Sequence, residues 1–156
     1  MPAIHDLKDQ VNTKTINFVL LTLATIGIYP LLWVWQNSRV IGQVTRQTVV
    51  GQAYILWMAA LIGWAAALAS APDDDVNAFG GLLNIALAVL YIVWAFKAKK
   101  CVEEYALREF RVDPRMNSFY TFVFNIYYIN YCINDLPEAE RKQRLLSGQS
   151  DVSGQS

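Results

Sequence analysis

The sequence predicts an all-α integral membrane protein built on a central transmembrane hairpin of two helices. Hydrophobic residues make up 54% of the chain and charged residues only 17%, whereas about a quarter of a soluble domain is charged. The chain contains four long apolar stretches, and all thirteen Lys and Arg residues lie outside them. The loop between the second and third stretches, at Asp73–Asp75, contains no positive residue at all.

The first stretch, Asn17–Gln36, predicts a broken or re-entrant N-terminal helix. It is uncharged over about 20 residues, which is long enough to cross a bilayer. Gly27 weakens the helix, and Pro30 removes a backbone donor and clashes with the preceding turn. We therefore expect a kink or a break here, followed by Trp33 at the membrane–water interface.

The second and third stretches, Ala53–Ser70 and Phe79–Phe96, predict the central hairpin, because each is about 18 residues long and only a short loop joins them. Small residues recur at helical spacing on both, and in lipid such faces let helices approach closely. Asn84 shares the small face of the third stretch and is placed to bond a neighbouring helix. We expect the hairpin to pack through these faces, whose other members are Ala59, Gly63, Ala67, Gly81 and Ala88.

The fourth stretch, Phe119–Ile133, predicts a short Tyr-rich membrane helix at the C-terminal side. It is only about 15 residues long and contains two polar residues, Asn125 and Asn130. A simple span needs about 20 apolar residues. A re-entrant or tilted interfacial helix therefore fits this stretch better.

The distribution of positive charge predicts the topology, because Lys and Arg favour the cytoplasmic side. Four full spans would put eight positive residues inside and the five of the two tails outside. If the first and fourth stretches both dip in and return, all thirteen lie inside and only the Asp73–Asp75 loop lies outside. We prefer this second arrangement, with both termini cytoplasmic; a mixed case with one full span stays open.

The regions around the membrane domain follow from composition. Residues 1–15 read as a polar cytoplasmic tail and residues 16–136 as the helical membrane domain. Lys97–Val112 is expected to prolong the third helix into the cytoplasm, supported by i, i+4 charge pairs. Residues 137–146 predict a short amphipathic helix, and residues 147–156 a disordered tail.

Two motifs connect the chain to a known family. Thr25–Trp33 (TIGIYPLLW) resembles the signature T-x-G-I-Y-x-x-x-W that opens an uncharacterised bacterial membrane family, domain of unknown function 4234. Its Gly27, Tyr29 and Trp33 match the signature, and Pro30 lies within it. Asn125–Asn130 is similar to a Tyr- and Asn-bearing stretch towards the family's end. The resemblance would cover most of residues 16–136 and implies a small helical protein of a bacterial inner membrane, with no catalytic residue to carry over.

A weak internal echo accompanies the first motif. Gly27-Ile28-Tyr29 near the start of the chain is similar to Asn125-Ile126-Tyr127 near its end. Paired broken elements in two halves can mark a transporter site. Three matching residue classes in an aromatic apolar sequence are interpreted here as chance similarity.

Several classes of function find little support in the sequence. No apolar stretch contains an ionisable coupling group of the kind that pumps use. Asp73, Asp74 and Asp75 form the only tight carboxylate cluster, and acids before a helix favour its positive N-terminal end. With His5 as the single histidine and two isolated cysteines, we expect no metal and no cofactor. The zero net charge gives no reason to expect a nucleic-acid partner.

The remaining prediction is a non-enzymatic interaction or accessory module of the membrane. Its partners would be the lipid bilayer and either a membrane protein or further copies of this chain. The alternative is an oligomeric pore or transport protein, or a lipid-handling protein.

Overall fold

The all-α prediction is confirmed over the part of the chain that the structure describes. The computed structural model describes residues 4–11, 14–25, 27–69, 72–111, 114 and 116–153. These residues form α-helices and no strand. The helices are α1 (Ile4–Val11), α2 (Thr15–Ala24), α3 (Ile28–Thr45), α4 (Gln52–Leu68), α5 (Asp74–Phe110) and α6 (Ser118–Ser153).

The first apolar stretch folds back on itself as a helical hairpin, α2–α3. Gly27 adopts a left-handed conformation with φ of 84°, which glycine reaches at no steric cost. The rings of Phe18 and Trp33 lie 4.8 Å apart, although fifteen residues of unbroken helix would separate them by about 22 Å. The predicted break is therefore present, but it lies at Gly27. Pro30 belongs to the first turn of α3, where a missing N–H costs little.

The fourth apolar stretch also contains a sharp reversal, which lies inside α6 at Asn125. This residue has φ of 49° and ψ of −122°, close to the first central residue of a type II′ turn, where Gly and Asn are favoured. The Asn117 N–H donates to the Tyr128 hydroxyl over 3.0 Å, although an unbroken helix would separate these residues by about 16 Å. Residues 118–124 and 126–153 are thus the two arms of a second hairpin.

Helices α4 and α5 form the predicted antiparallel hairpin. Near its open end the Tyr54 hydroxyl donates to the Leu90 carbonyl over 2.5 Å. Near its closed end Gly80 is buried against Leu68. Asp73 caps α5, because its carboxylate accepts from the Asp75 N–H over 3.0 Å, and it satisfies one of the four free donors at this end.

Helix α5 continues well beyond the hairpin, as predicted, and its second half lies in the core. The Trp94 indole N–H donates to the Ser38 hydroxyl over 2.7 Å, and Ser38 donates to the Val34 carbonyl over 2.6 Å. Trp94 also packs edge-to-face on Trp33, with ring centroids 5.6 Å apart. Other fully buried members of this core are Leu7, Phe18, Ile41, Ala98, Val102, Ile129 and Ile133.

Both ends of the chain differ from the sequence-based expectation. Residues 4–11 of the expected tail form α1, which contacts α3 and α6. The reason is an apolar pair at i, i+4: Leu7 is fully buried and Val11 nearly so. At the other end, no separate helix begins at Pro137. Helix α6 continues through it to Ser153, supported by an ion pair of 2.9 Å between Glu138 and Lys142. The expected disorder is therefore not seen up to Ser153, and residues 154–156 lie outside the described residues.

One described helix, α5, is long and apolar enough to cross a membrane. Only 17% of its most apolar stretch is buried inside the protein. Helix α4 is apolar but shorter.

Candidate functional site

The family motif forms an aromatic cluster at the base of the α2–α3 hairpin. Phe18 lies at its centre, with ring centroids 4.8 Å from Trp33, 5.5 Å from Tyr29 and 4.8 Å from Tyr127. Gly27 supplies the turn that brings these rings together. The motif residues therefore have a structural role, since they fix the hairpin and join it to α6. Trp33, which was expected at the membrane–water interface, is buried in this cluster.

The two asparagines of the fourth stretch have separate roles in the structure. Asn125 provides the positive φ of the second hairpin turn. Asn130 is fully buried, and its side-chain amide donates to the Thr15 hydroxyl over 3.2 Å. Asn130 thus ties α6 to the start of α2.

The two echoing triplets occupy matching places in the fold. Gly27 and Asn125 each have a positive φ at the turn of a helical hairpin. In each hairpin the next two residues, Ile and Tyr, are helical, and Tyr29 and Tyr127 both pack on Phe18. The likeness between the triplets therefore extends to backbone conformation and to a shared contact.

The small-residue faces of α4 and α5 do not form the contact between these helices. A Cβ added at Gly63 would have no atom within 4 Å. Asn84 donates to the Gly80 carbonyl of its own helix over 3.2 Å instead of bonding a neighbour. Helical periodicity assigns residues to one face, but packing turns that face outward here. The exposed members are Ala59, Gly63, Ala67, Gly81, Asn84 and Ala88.

The acidic loop gives no sign of a cation site. Asp73 is engaged as the N-cap of α5, and Asp74 and Asp75 lie in its first turn. Within the described residues, no three His, Cys, Asp or Glu side chains are close enough to hold a metal ion.

A basic cavity of about 440 Å³ lies where the end of α3, the following loop and the start of α4 meet. We call it the basic pocket. The guanidinium of Arg39 lies over the Trp35 ring at 4.9 Å from its centroid, a cation–π distance that holds the charge at the pocket wall. The remaining polar lining is uncharged except for one more arginine, and it consists of Ser38, Gln43, Arg46, Gln47, Thr48 and Gln52.

An apolar groove of about 430 Å³ continues from the basic pocket along α3 towards the turn of the α2–α3 hairpin. Both cavities are lined by Trp35, Gln52 and Ile55. Leucines complete the groove, and they are Leu31, Leu32 and Leu56. The resulting cleft between α3 and α4 is basic at one end and apolar at the other.

The comparison with known families shows the family to which the chain belongs. The family model described as Domain of unknown function (DUF4234) matches residues 13–104, which is more than half of the 156 residues. The chain belongs to the DUF4234 family. Neither the curated proteins nor the solved structures contain a significant match. The DUF4234 match includes the first motif but ends before Asn125–Asn130, so the resemblance of that stretch to the family stays a prediction.

The DUF4234 match also includes the basic pocket, which was not predicted from the sequence. Arg39 and Arg46 contributed to the predictions only through the count of positive charges. A usable signal was present, because Trp35, Arg39 and Gln43 follow one another at i, i+4 and Arg46 follows Arg39 at i+7. What the sequence did not indicate is that the loop to α4 would close this row into a cavity.

Proposed function

We propose that this chain is a non-enzymatic, multi-pass membrane module that binds another transmembrane helix, either from a partner protein or from a second copy. We place it in a bacterial inner membrane, with the Asp73–Asp75 loop outside and both termini in the cytoplasm. Both helical hairpins, α2–α3 and α6, would enter the membrane from the cytoplasmic side and return to it.

The exposed surface of the α4–α5 hairpin supports the membrane placement. Large apolar side chains cover it, and soluble monomers rarely expose continuous apolar surface of this kind. The Lys and Arg residues of α5 all lie in its C-terminal part, away from the Asp73–Asp75 loop, as the positive-inside rule requires for the proposed topology. The exposed side chains include Leu56, Trp57, Trp64, Phe79, Leu82, Ile85 and Val89.

The observation that carries the helix-binding role is the empty space beside Gly63. No atom lies within 4 Å of where its Cβ would be, and Ala59 and Ala67 on the same face are exposed. In lipid, helices associate by close packing, and small residues allow the backbones to approach. The α4–α5 contact leaves this face unused, so it is available to a further helix.

The non-enzymatic part of the proposal rests on the roles that the reactive groups already have. The Asp73 carboxylate caps α5, and Cys101 is a buried thiol of the core. Replacing Asp73, Asp74 and Asp75 by Asn should therefore alter the stability of α5 and should abolish no catalytic activity.

Enlarging the small faces tests the helix-binding role. We expect Gly63→Leu and Ala88→Leu to abolish association with the partner, because a bulky side chain holds the helix backbones apart. Ala86→Leu is the matched control: Ala86 is exposed too, but lies five residues from Gly81 and so about 140° around α5. Native mass spectrometry of gently extracted protein gives the assembly mass. If Gly63→Leu and Ala88→Leu assemble as the wild type does, the helix-binding role is wrong.

Thiol labelling tests the topology separately. In a variant without its two native cysteines, a cysteine at Lys14 should resist a membrane-impermeant maleimide in intact bacterial spheroplasts and react after permeabilisation. A cysteine at Asp74 should react in intact spheroplasts. Ready labelling at position 14 before permeabilisation would contradict the cytoplasmic placement of the N-terminal side.

A further inference from the structure

We propose that the cleft between α3 and α4 binds one anionic glycerophospholipid, with the headgroup phosphate in the basic pocket and an acyl chain in the apolar groove. This inference rests on the membrane placement proposed above and is independent of the helix-binding role.

The charge of the pocket selects an anion. Its lining contains Arg39 and Arg46 and no acidic residue. Within the described part of the chain no ion pair is seen for either arginine, and the contact of Arg39 is the Trp35 ring. Guanidinium groups match phosphate oxygens with paired N–H donors. The glutamine amides of the lining add donors suited to phosphate or glycerol oxygens.

The acid that contacts the pocket lining does not cancel this charge. Glu104 of α5 accepts a hydrogen bond of 2.7 Å from the Gln47 side chain, and its carboxylate lies 3.7 Å from the Lys100 ammonium. Glu104 is thus balanced by a lysine of its own helix. Its hydrogen bond holds the Gln47 side chain in place. The lining of the pocket therefore keeps a net positive charge from its two arginines.

The length of the cleft fits one membrane leaflet. Leu31 and Arg46 mark its two ends along α3, and fifteen residues of helix span about 22 Å. This is about half of a bilayer that measures about 40–45 Å with its headgroups. Trp35 lines both cavities and therefore lies where the basic pocket meets the apolar groove. A soluble phosphate would use only the basic end, whereas a phospholipid accounts for both.

The direct test is competitive lipid binding in micelles. Purified full-length protein would receive equimolar phosphatidylglycerol and phosphatidylcholine, and native mass spectrometry would count the lipid retained. We expect at least about tenfold preference for phosphatidylglycerol. Arg39→Gln and Arg46→Gln should each lower that preference roughly tenfold, the effect of losing about 1.4 kcal/mol of charge-assisted bonding. Arg141→Gln, which removes the same charge from the exposed surface of α6, should leave it unchanged.

A second pair of variants tests the pocket without removing an arginine. Gly51 lines the pocket, its added Cβ would meet no atom within 4 Å, and its φ of −81° suits any residue. Gly51→Glu should weaken phosphatidylglycerol binding, whereas Gly51→Gln, with the same shape but no charge, should weaken it much less. Equal losses would mean that steric filling and not charge explains the effect, and would contradict the phosphate assignment.

Three further results would overturn the proposal. They are equal retention of the two lipids by the wild type, unchanged preference in both arginine variants, and displacement of the bound lipid by excess inorganic phosphate, which would assign the pocket to a soluble anion. Retention of the protein in carbonate-washed membranes reports the membrane placement on its own. Failure of that placement is therefore distinguishable from failure of the lipid site.

Discussion

Two consecutive segments of α5 place their apolar side chains in opposite surroundings, and only the second segment also contains charged residues. In the segment Trp94–Ala106, which we call the buried half, Trp94, Ala98 and Val102 are fully buried against other helices. In the segment Phe79–Val93, which we call the bare half, Phe79 is 55% exposed and Ile85 is 63% exposed. The protein thus covers one apolar face of the buried half and leaves much of the bare half exposed.

This difference indicates that folding stability and the proposed membrane placement depend on different segments of α5. The buried half packs against α3 and α6, which in turn contact α1 and α2. The bare half contributes apolar surface that only α4 partly covers, and lipid would supply the remaining cover without a hydrophobic penalty. We therefore expect truncations in the buried half to destabilise the protein strongly, and truncations in the bare half to be tolerated.

The largest expected effect comes from truncating Trp94. Trp94→Ala should lower the free energy of unfolding by about 3–5 kcal/mol, because it empties the site beside Trp33 and removes the bond to Ser38. Val89→Ala, at a position 51% exposed in the bare half, should cost about 0.5 kcal/mol or less. Denaturant unfolding in micelles, followed by circular dichroism, measures both. Similar decreases in the free energy of unfolding for the two variants would contradict the proposed difference between the buried half and the bare half.

Two adjacent glycines near the start of α5 sharpen the comparison. A Cβ at Gly80 would lie 3.1 Å from the Leu68 Cβ, whereas one at Gly81 would meet nothing within 4 Å. Gly80→Leu should destabilise the hairpin by about 1–3 kcal/mol through overpacking. Gly81→Leu should be neutral or slightly stabilising, because leucine is the better helix former. A thermal-unfolding series on the monomer decides this, and the reverse order of stability would contradict the α4–α5 packing.

The turn at Asn125 gives a smaller effect of backbone origin. A β-branched residue is strained at a φ of 49°, so Asn125→Val should cost about 1–2 kcal/mol. Asn125→Gly should be tolerated, since glycine adopts this conformation freely. The same unfolding assay compares the two. If valine were as stable as glycine, the reversal inside α6 would be in doubt.

The smallest effect is expected at the exposed pair Glu138–Lys142. The hydrogen bond from Lys142 lowers the pKa of the Glu138 carboxyl below its ordinary value. A lowered folded-state pKa contributes stability above the unfolded pKa of about 4.3 and loses it as pH falls through the folded value. Glu138→Gln should therefore be slightly less stable than the wild type at neutral pH and equal to it in strong acid. A gap that widened on acidification would contradict this sign.

Much of the fold follows from local signals in the sequence. The acids at Asp73–Asp75 indicated that a helix N-terminus follows them, and Gly27 together with Pro30 predicted the break in the first stretch. Both signals act within one or two turns of chain, so no tertiary information is needed. The tail that proved to be α1 also had a local signal in Leu7 and Val11, but its acids and lysines outweighed that pair in the interpretation.

The rest depends on packing that no local pattern determines. Periodicity placed Gly63 on a small face of α4, but the direction of that face depends on how α4 rotates against α5. The basic pocket likewise requires Arg46 and Gly51 to meet across a loop. These features depend on contacts between elements, and they are also the ones from which the functional proposals follow.

The most direct test of the account is the environment of the bare half in lipid. Spin labels at Ile85 and at Lys100, in protein without its native cysteines and reconstituted in liposomes, would report accessibility to oxygen and to a water-soluble nickel chelate. We predict high oxygen and low nickel accessibility at position 85, and the reverse at position 100. Nickel accessibility at position 85 equal to that at position 100 would mean that the bare half is not in the membrane.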